Sequence, residues 1–163
     1  MSPGFHLAQI NIGRLLAPLD SPQIKDFADN LDRINAIAEA SPGFVWRLVG
    51  EGNSATDLRP FEDPTILINM SVWTDLASLG AFVYRSDHAG IMRRRREFFE
   101  APDEAFQALW WIPAGAVPTP AEGMERLQHL RRDGPTAYAF TFRQPFAPQA
   151  GARPDPPVLD ECA

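Results

Sequence analysis

The side chains with the most chemical capacity lie at alternate positions of one apolar run. In TILINMSVW, residues 65–73, Asn69, Ser71 and Trp73 recur at every second residue. Successive side chains of a strand point to opposite faces, so these three share a face with Leu67, while Ile66, Ile68, Met70 and Val72 share the other. The same parity in FHLAQINI, residues 5–12, puts Gln9 and Asn11 together. It adds Arg47 from FVWRLV, and Gln107 and Trp111 from FQALWWI. Amides, a hydroxyl, a guanidinium and two indoles on one surface can hold a planar or aromatic ligand. The indoles would stack it; the amides and Arg47 would orient it. An alternative is that this surface is a dimer interface, since interfaces also favour Trp and Arg.

The second cluster is helical. His88, Met92, Arg95 or Arg96, and Phe99 recur three or four residues apart and share one helix face. Neutral imidazole serves as a general base or a heme ligand near pH 7. A neighbouring guanidinium would lower the pKa of His88 and favour those roles over that of an acid. The other reading is a histidine that bonds a loop or a partner chain. The run Arg93 to Arg96 is expected as a solvated cationic helix end, because successive helical residues point about 100° apart. One of its members is a candidate to bind a substrate carboxylate, and Tyr84 and Arg85 are candidates for the pocket mouth.

These groups need a frame, and the sequence supplies one. Strands are expected at 5–12, 44–49, 65–73 and 105–112. Ser21-Pro22 opens a helix whose apolar stripe is Ile24, Phe27, Leu31, Ile34 and Ile37 or Ala38, ended by Ser41-Pro42-Gly43. Thr74 or Asp75 caps a second helix with Leu76, Leu79, Phe82 and Val83 inside, and Asp87 starts a further piece reaching Phe99. Thr119-Pro120-Ala121-Glu122 is a capping box. The helix it opens ends at Gly134-Pro135, and AYAFTFRQPF is a candidate edge strand. The order β-α-β-β-α-β, then a helix, is the ferredoxin-like pattern of an α+β fold with an antiparallel sheet. Helices are expected on the apolar face, with His6 beneath them. The amide face is expected to stay open and be closed by a second copy of the chain, as a homodimer. One domain, 1–147, is expected, with a proline- and alanine-rich disordered tail at 148–163.

Composition limits the function classes. The 163 residues are 45% hydrophobic and 22% charged, with a net charge of −6. Acidity argues against a nucleic-acid partner. No apolar run is long enough for a membrane span, and the N-terminus lacks the basic start and apolar core of a signal peptide. A cytoplasmic protein is expected. The single cysteine, Cys162, leaves no intrachain disulfide and no multi-cysteine zinc site.

SVWTDLASLGAFVYRSDHAGIM resembles the dimeric α/β-barrel superfamily of antibiotic-biosynthesis and heme-degrading monooxygenases. The shared features are a strand ending in Trp73, the turn Thr74-Asp75, a mid-helix aromatic at Phe82, and Ser86-Asp87-His88. HLAQINIGRL, SPGFVWRL, NMSVW, FVYRSDH, RRREFF and LWWIPAG are more closely similar to domain of unknown function 3291, over about residues 5 to 143. The superfamily resemblance implies a dimeric α/β barrel and a monooxygenase-like small-molecule enzyme, working on an aromatic or polyketide-like substrate without a tightly bound cofactor. It implies catalytic roles for His88, Asn69 and Arg47. Ligand contacts would come from Asn11, Trp73, Ser71, Phe82, Tyr84, Met92 and Trp111. A cyclase or isomerase on the same fold, or a non-catalytic heme or apolar-ligand binder, are the alternatives. The heme-ligand position of the heme-degrading relatives falls at Met92, one turn beyond His88. No metal site is expected.

Overall fold

The computed structural model describes residues 4–18, 20–49, 66–85, 90 and 93–148. In chain order these form β1 (Phe5–Arg14), a 3-10 turn (Pro22–Ile24), α1 (Lys25–Ala40), β2 (Phe44–Arg47) and β3 (Ile66–Trp73). After them come α2 (Leu76–Arg85), the single turn α3 (Arg95–Phe98), β4 (Gln107–Pro113) and α4 (Pro120–Asp133). The strands make one antiparallel sheet in the order β2-β3-β1-β4, the ferredoxin-like topology. Register pairs Asn11 with Asn69, Gln9 with Ser71 and Leu7 with Trp73, so the alternation read from the sequence is continuous across strands.

Both faces of that sheet carry helices within one chain, and this corrects the expected arrangement. The amide face is covered at one end, where α1 and α2 pack Ala38, Leu79 and Val83 with Leu7, Trp73 and Leu109, while Asn69 in its middle stays exposed. The apolar face carries Ala8, Ile10, Met70, Val72 and Trp110, and α4 closes it with Leu127 and Leu130. Gly123 of α4 lies so near the sheet that a Cβ there would come within 2.7 Å of Ile10 Cδ1 and 3.1 Å of Met70 Cε. Parity yields two faces but does not say which the βαβ helices cover, and α4 supplies an apolar stripe for the second. Trp73 is fully buried by its own chain, so a water-exposed indole face is not available as the drive to dimerise.

Local departures have simple causes. β1 runs on through Gly13 to Arg14 because β3 pairs with it along its whole length. The Ser21 hydroxyl makes no cap bond, and the first turn is 3-10 before α1 begins at Lys25. β2 is short, with a register shift between Phe44 and Trp46. The segment after α4 meets β4 at a single bridge, Leu109 with Phe140, so it does not form the edge strand. His129 is half-buried rather than exposed, with its ring 4.6 Å from that of Tyr138. His6 lies on the face covered by α4, half-buried. Two helix caps are as the sequence indicates. Asp75 Oδ1 accepts from the Ser78 backbone N–H at 2.7 Å, and Thr119 Oγ1 accepts from that of Glu122 at 3.1 Å. The loop 50–65, His88, Met92 and residues 149–163, on which the tail expectation falls, lie outside the described residues.

Candidate functional site

Where α1 and α2 leave the sheet they border a partly open cavity of about 190 Å³. Its floor is the amide face: Gln9, Asn11, Asn69, Ser71 and Gln107. Its roof is the α1 stripe, Phe27, Leu31, Ile34 and Ala38, at the helical i, i+4, i+7, i+11 spacing that puts four side chains on one side. Phe82, Val83 and Tyr84 of α2 form one wall, and Arg95, Phe99 and Phe106 another.

The floor is a continuous hydrogen-bond network. Gln9 Nε2 donates to Asn69 Oδ1 at 2.8 Å and to Ser71 Oγ at 2.9 Å. Asn11 Nδ2 donates to Gln9 Oε1 at 3.1 Å and to Asn69 Oδ1 at 3.2 Å. Trp73 Nε1 donates to Ser71 Oγ at 2.8 Å. Donor and acceptor capacities then fix what remains. Both donors of Gln9 and of Asn11 are used. Both lone pairs of the Ser71 hydroxyl are occupied, which leaves its proton to donate. Asn69 has its carbonyl oxygen doubly occupied and its NH2 group unused. The network leaves acceptor capacity at Asn11 Oδ1 and Gln9 Oε1, and one pair of donors, the Asn69 amide and the Ser71 hydroxyl. Such a pair suits a ligand oxygen that carries or gains negative charge.

The electrostatics agree. The described lining residues include no Asp or Glu but two guanidiniums, in a chain of net charge −6. Arg47 is buried and its Nε donates to Glu39 Oε2 of α1 at 2.8 Å, so its charge is answered by the helix it faces. Arg95 has its pKa lowered by burial, but guanidinium stays charged at any physiological pH. Asp75, at the N-terminus of α2, has its carboxyl held below the usual value, first by the Ser78 backbone N–H and then by the Ser78 hydroxyl.

The sequence-predicted residues divide into three groups. Asn11, Arg47, Asn69, Ser71, Trp73, Phe82 and Tyr84 all line the cavity. Trp73 is engaged by protein: its ring stacks on Phe82 at 5.3 Å and 25°, and Phe44 meets it edge-on at 5.4 Å. The indole thus builds the wall and holds Ser71 rather than presenting an open stacking face. Trp111 is on the same sheet face but outside the cavity lining, with its N–H donated to the Phe146 carbonyl at 2.7 Å. His88 and Met92 fall outside the described residues. The described lining has no histidine, cysteine or methionine, and Tyr84 is its one side chain of a type that ligates heme iron. An apolar cavity of about 150 Å³ holds benzene, so this one matches a ligand of one or two rings rather than a porphyrin.

Gln9 and Gln107, which parity places on this face, were not among the expected site residues, and neither were Phe27, Leu31, Ile34, Asn35 and Phe106. The signal for the α1 members was the apolar stripe itself, which looks the same whether it fills a core or roofs a cavity.

Fold and site together define a class: a ferredoxin-like α+β domain with an amide-floored pocket between its sheet and its helix layer. Residues 6–155 match the family described as a domain of unknown function, DUF3291, and the chain belongs to that family. A search of curated proteins gave no match. Among solved structures the chain is similar to a protein of unknown function from Nitrosomonas europaea, at 16% identity and TM-score 0.45, covering 71% of this chain and 95% of that one. It is similar to a mutant of SnoaB, a cofactor-independent oxygenase from Streptomyces nogalater, at 15% identity and TM-score 0.46, covering 69% and 95%. PA3566 from Pseudomonas aeruginosa is similar at 14% identity and TM-score 0.43, covering 72% and 98%. No helix among the described residues is long and apolar enough to cross a membrane.

Proposed function

We propose that this protein is a small-molecule enzyme that stabilises the oxyanion of an electron-rich aromatic substrate and passes that anion to molecular oxygen. The observation behind this reading is a donor pair on the cavity floor: the Asn69 NH2 group and the Ser71 hydroxyl proton, both left over after the network is complete. Beside largely apolar walls, such donors favour a phenolate or enolate over its neutral form. An ionised hydroxyarene can give one electron to O2. The radical pair then recombines to form the C–O bond of a peroxide, and loss of water leaves a quinone. One oxygen atom enters the product and the other leaves as water.

In this scheme Asn69 and Ser71 touch the substrate oxygen, while Trp73 and Gln9 position Ser71. Phe82 and Phe27 supply apolar walls, and Arg47, paired with Glu39, fixes α1 over the sheet. Removal of the substrate proton is assigned to His88. The reaction class follows the monooxygenase resemblance of the sequence, and the roles follow from the residues on the cavity floor. A homodimer, which that resemblance also implies, would have to form without the Trp73 indole, which its own chain buries.

The test uses 1,3-dihydroxynaphthalene, a two-ring substrate whose oxygenation gives 2-hydroxy-1,4-naphthoquinone and water. Oxygen uptake and quinone absorbance should rise together above the uncatalysed rate, and Asn69→Ala should lower the turnover about 100-fold, the usual cost of one oxyanion donor. Uptake no faster than the protein-free control contradicts the oxygenase reading. The same donors would serve an isomerase or cyclase. Catalysed exchange of a ring hydrogen with D2O under anaerobic conditions, with no oxygen uptake in air, would point there instead.

A further inference from the structure

Of the four arginines at 93–96, one is turned into the protein. Arg93 and Arg96 are exposed, and Arg94 pairs with Asp26 at 3.0 Å and Glu97 at 2.8 Å. Arg95 is half-buried on the cavity wall. Its guanidinium carbon lies 4.7 Å from the centroid of Phe99 and 4.4 Å from that of Phe106. Two ring contacts hold and orient a guanidinium but carry no formal charge to neutralise it. Its Nε is buried with no hydrogen-bond partner, and no ion pair joins Arg95 to a carboxylate among the described residues.

The backbone makes room for this group. A Cβ on Gly13 of β1 would lie 2.6 Å from Phe99 Cδ1 and 3.2 Å from Arg95 Nη2. The missing side chain lets ring and guanidinium lie against the strand, two residues beyond Asn11. An arginine held in this way, with an unsatisfied N–H, is left with a donor fork and a charge to be met by a ligand.

We propose that the ligand carries an ionised acid group on its aromatic frame, and that Arg95 is the anchor for it. The carboxylate would accept from the two Nη groups side by side, the planar match that guanidinium makes and ammonium does not. The proposal rests on the cavity being the substrate site and specifies the substrate class: an aromatic acid rather than a neutral arene.

Titration of the full chain with 2-naphthoate and with its neutral counterpart 2-naphthamide, followed calorimetrically, tests it. Naphthoate should bind at least 10-fold more tightly than naphthamide. Arg95→Met should bring the two within about 2-fold, and Arg95→Lys should leave a reduced preference. Equal affinities in the wild type, a preference undiminished in Arg95→Met, or no naphthoate binding at millimolar concentration would overturn the assignment. Should Arg95→Met lose its folded circular dichroism signal, Arg95→Lys decides: a preference as large as in the wild type overturns the forked contact, and a smaller one supports it. Binding and turnover are read separately. Naphthoate held through Arg95 with no oxidation of dihydroxynaphthalene removes only the oxygenase reading, and the converse removes only this one.

Discussion

The two faces of the sheet are built from the same four strands and end in opposite states. On one face Ala8, Ile10, Met70, Val72 and Trp110 meet α4 without a gap, down to a glycine, Gly123, where any side chain would crowd Ile10. On the other, Gln9, Asn11, Asn69 and Ser71 face α1 and α2 across a cavity of about 190 Å³. Apolar faces gain by expelling water and close. An amide floor gains by keeping its bonds, and helices resting on it at Trp73 and Ala38 leave the polar middle uncovered. The comparison separates a face that holds the fold together from the face on which we propose that a ligand binds.

The largest effect should come from the closed face. Trp110 is fully buried, and Trp110→Ala should cost about 3–5 kcal/mol and lower Tm on the order of 10 °C. Below that temperature, dihydroxynaphthalene oxidation per folded molecule should be unchanged. Lost turnover in a still-folded Trp110→Ala protein would break the division between the faces.

Ser71→Ala should behave differently. It removes the acceptor of the buried Trp73 indole N–H and of one Gln9 donor, which should cost about 1–3 kcal/mol, and it removes a donor to the substrate. Thermal melts and turnover should therefore both fall. A change in stability alone would make Ser71 a purely structural residue.

Much of this was legible in the residues, and the limits are instructive. Strand parity assembled the floor because the period of two survives any tertiary context, and Asp75 and Thr119 announced their helices by local chemistry. Parity did not say which face the helices cover: that depends on the direction of the crossovers and on α4, fifty residues from β3 in the chain. The inward turn of Arg95 was equally hidden. Four consecutive arginines look alike in sequence, and the one chosen is set by Phe106 and Gly13, on elements that meet it only in the fold. The walls of a pocket and the inside of a core share one apolar signature, so Phe27, Leu31 and Ile34 gave no sign that they roof a cavity.

A smaller effect tests how α2 is held over the amide face. Asp75→Ala removes the N-cap and should cost about 1 kcal/mol, or about 2–4 °C in Tm. The folded-state pKa of Asp75 is depressed, so its contribution is full at neutral pH. It is lost as pH falls below the ordinary value of 3.8 and through the folded one. The stability gap between wild type and variant, followed by melts at stepped pH, should be constant near neutrality and narrow on the acid side. A gap that widens on acidification would assign the bond a different origin.

The central claim, that the amide face under α1 and α2 is the ligand site and the α4 face is not, is tested most directly by following the indole N–H resonances of a 15N-labelled sample during titration with 2-naphthoate. Trp73 Nε1–H is bonded to Ser71 on the cavity floor, and Trp110 Nε1–H is directed to Glu122 of α4 at 3.3 Å. The account predicts a saturable shift of the Trp73 resonance with the Trp110 resonance unmoved. A shift of Trp110 with Trp73 unmoved, or no shift of either at saturating ligand, would contradict it.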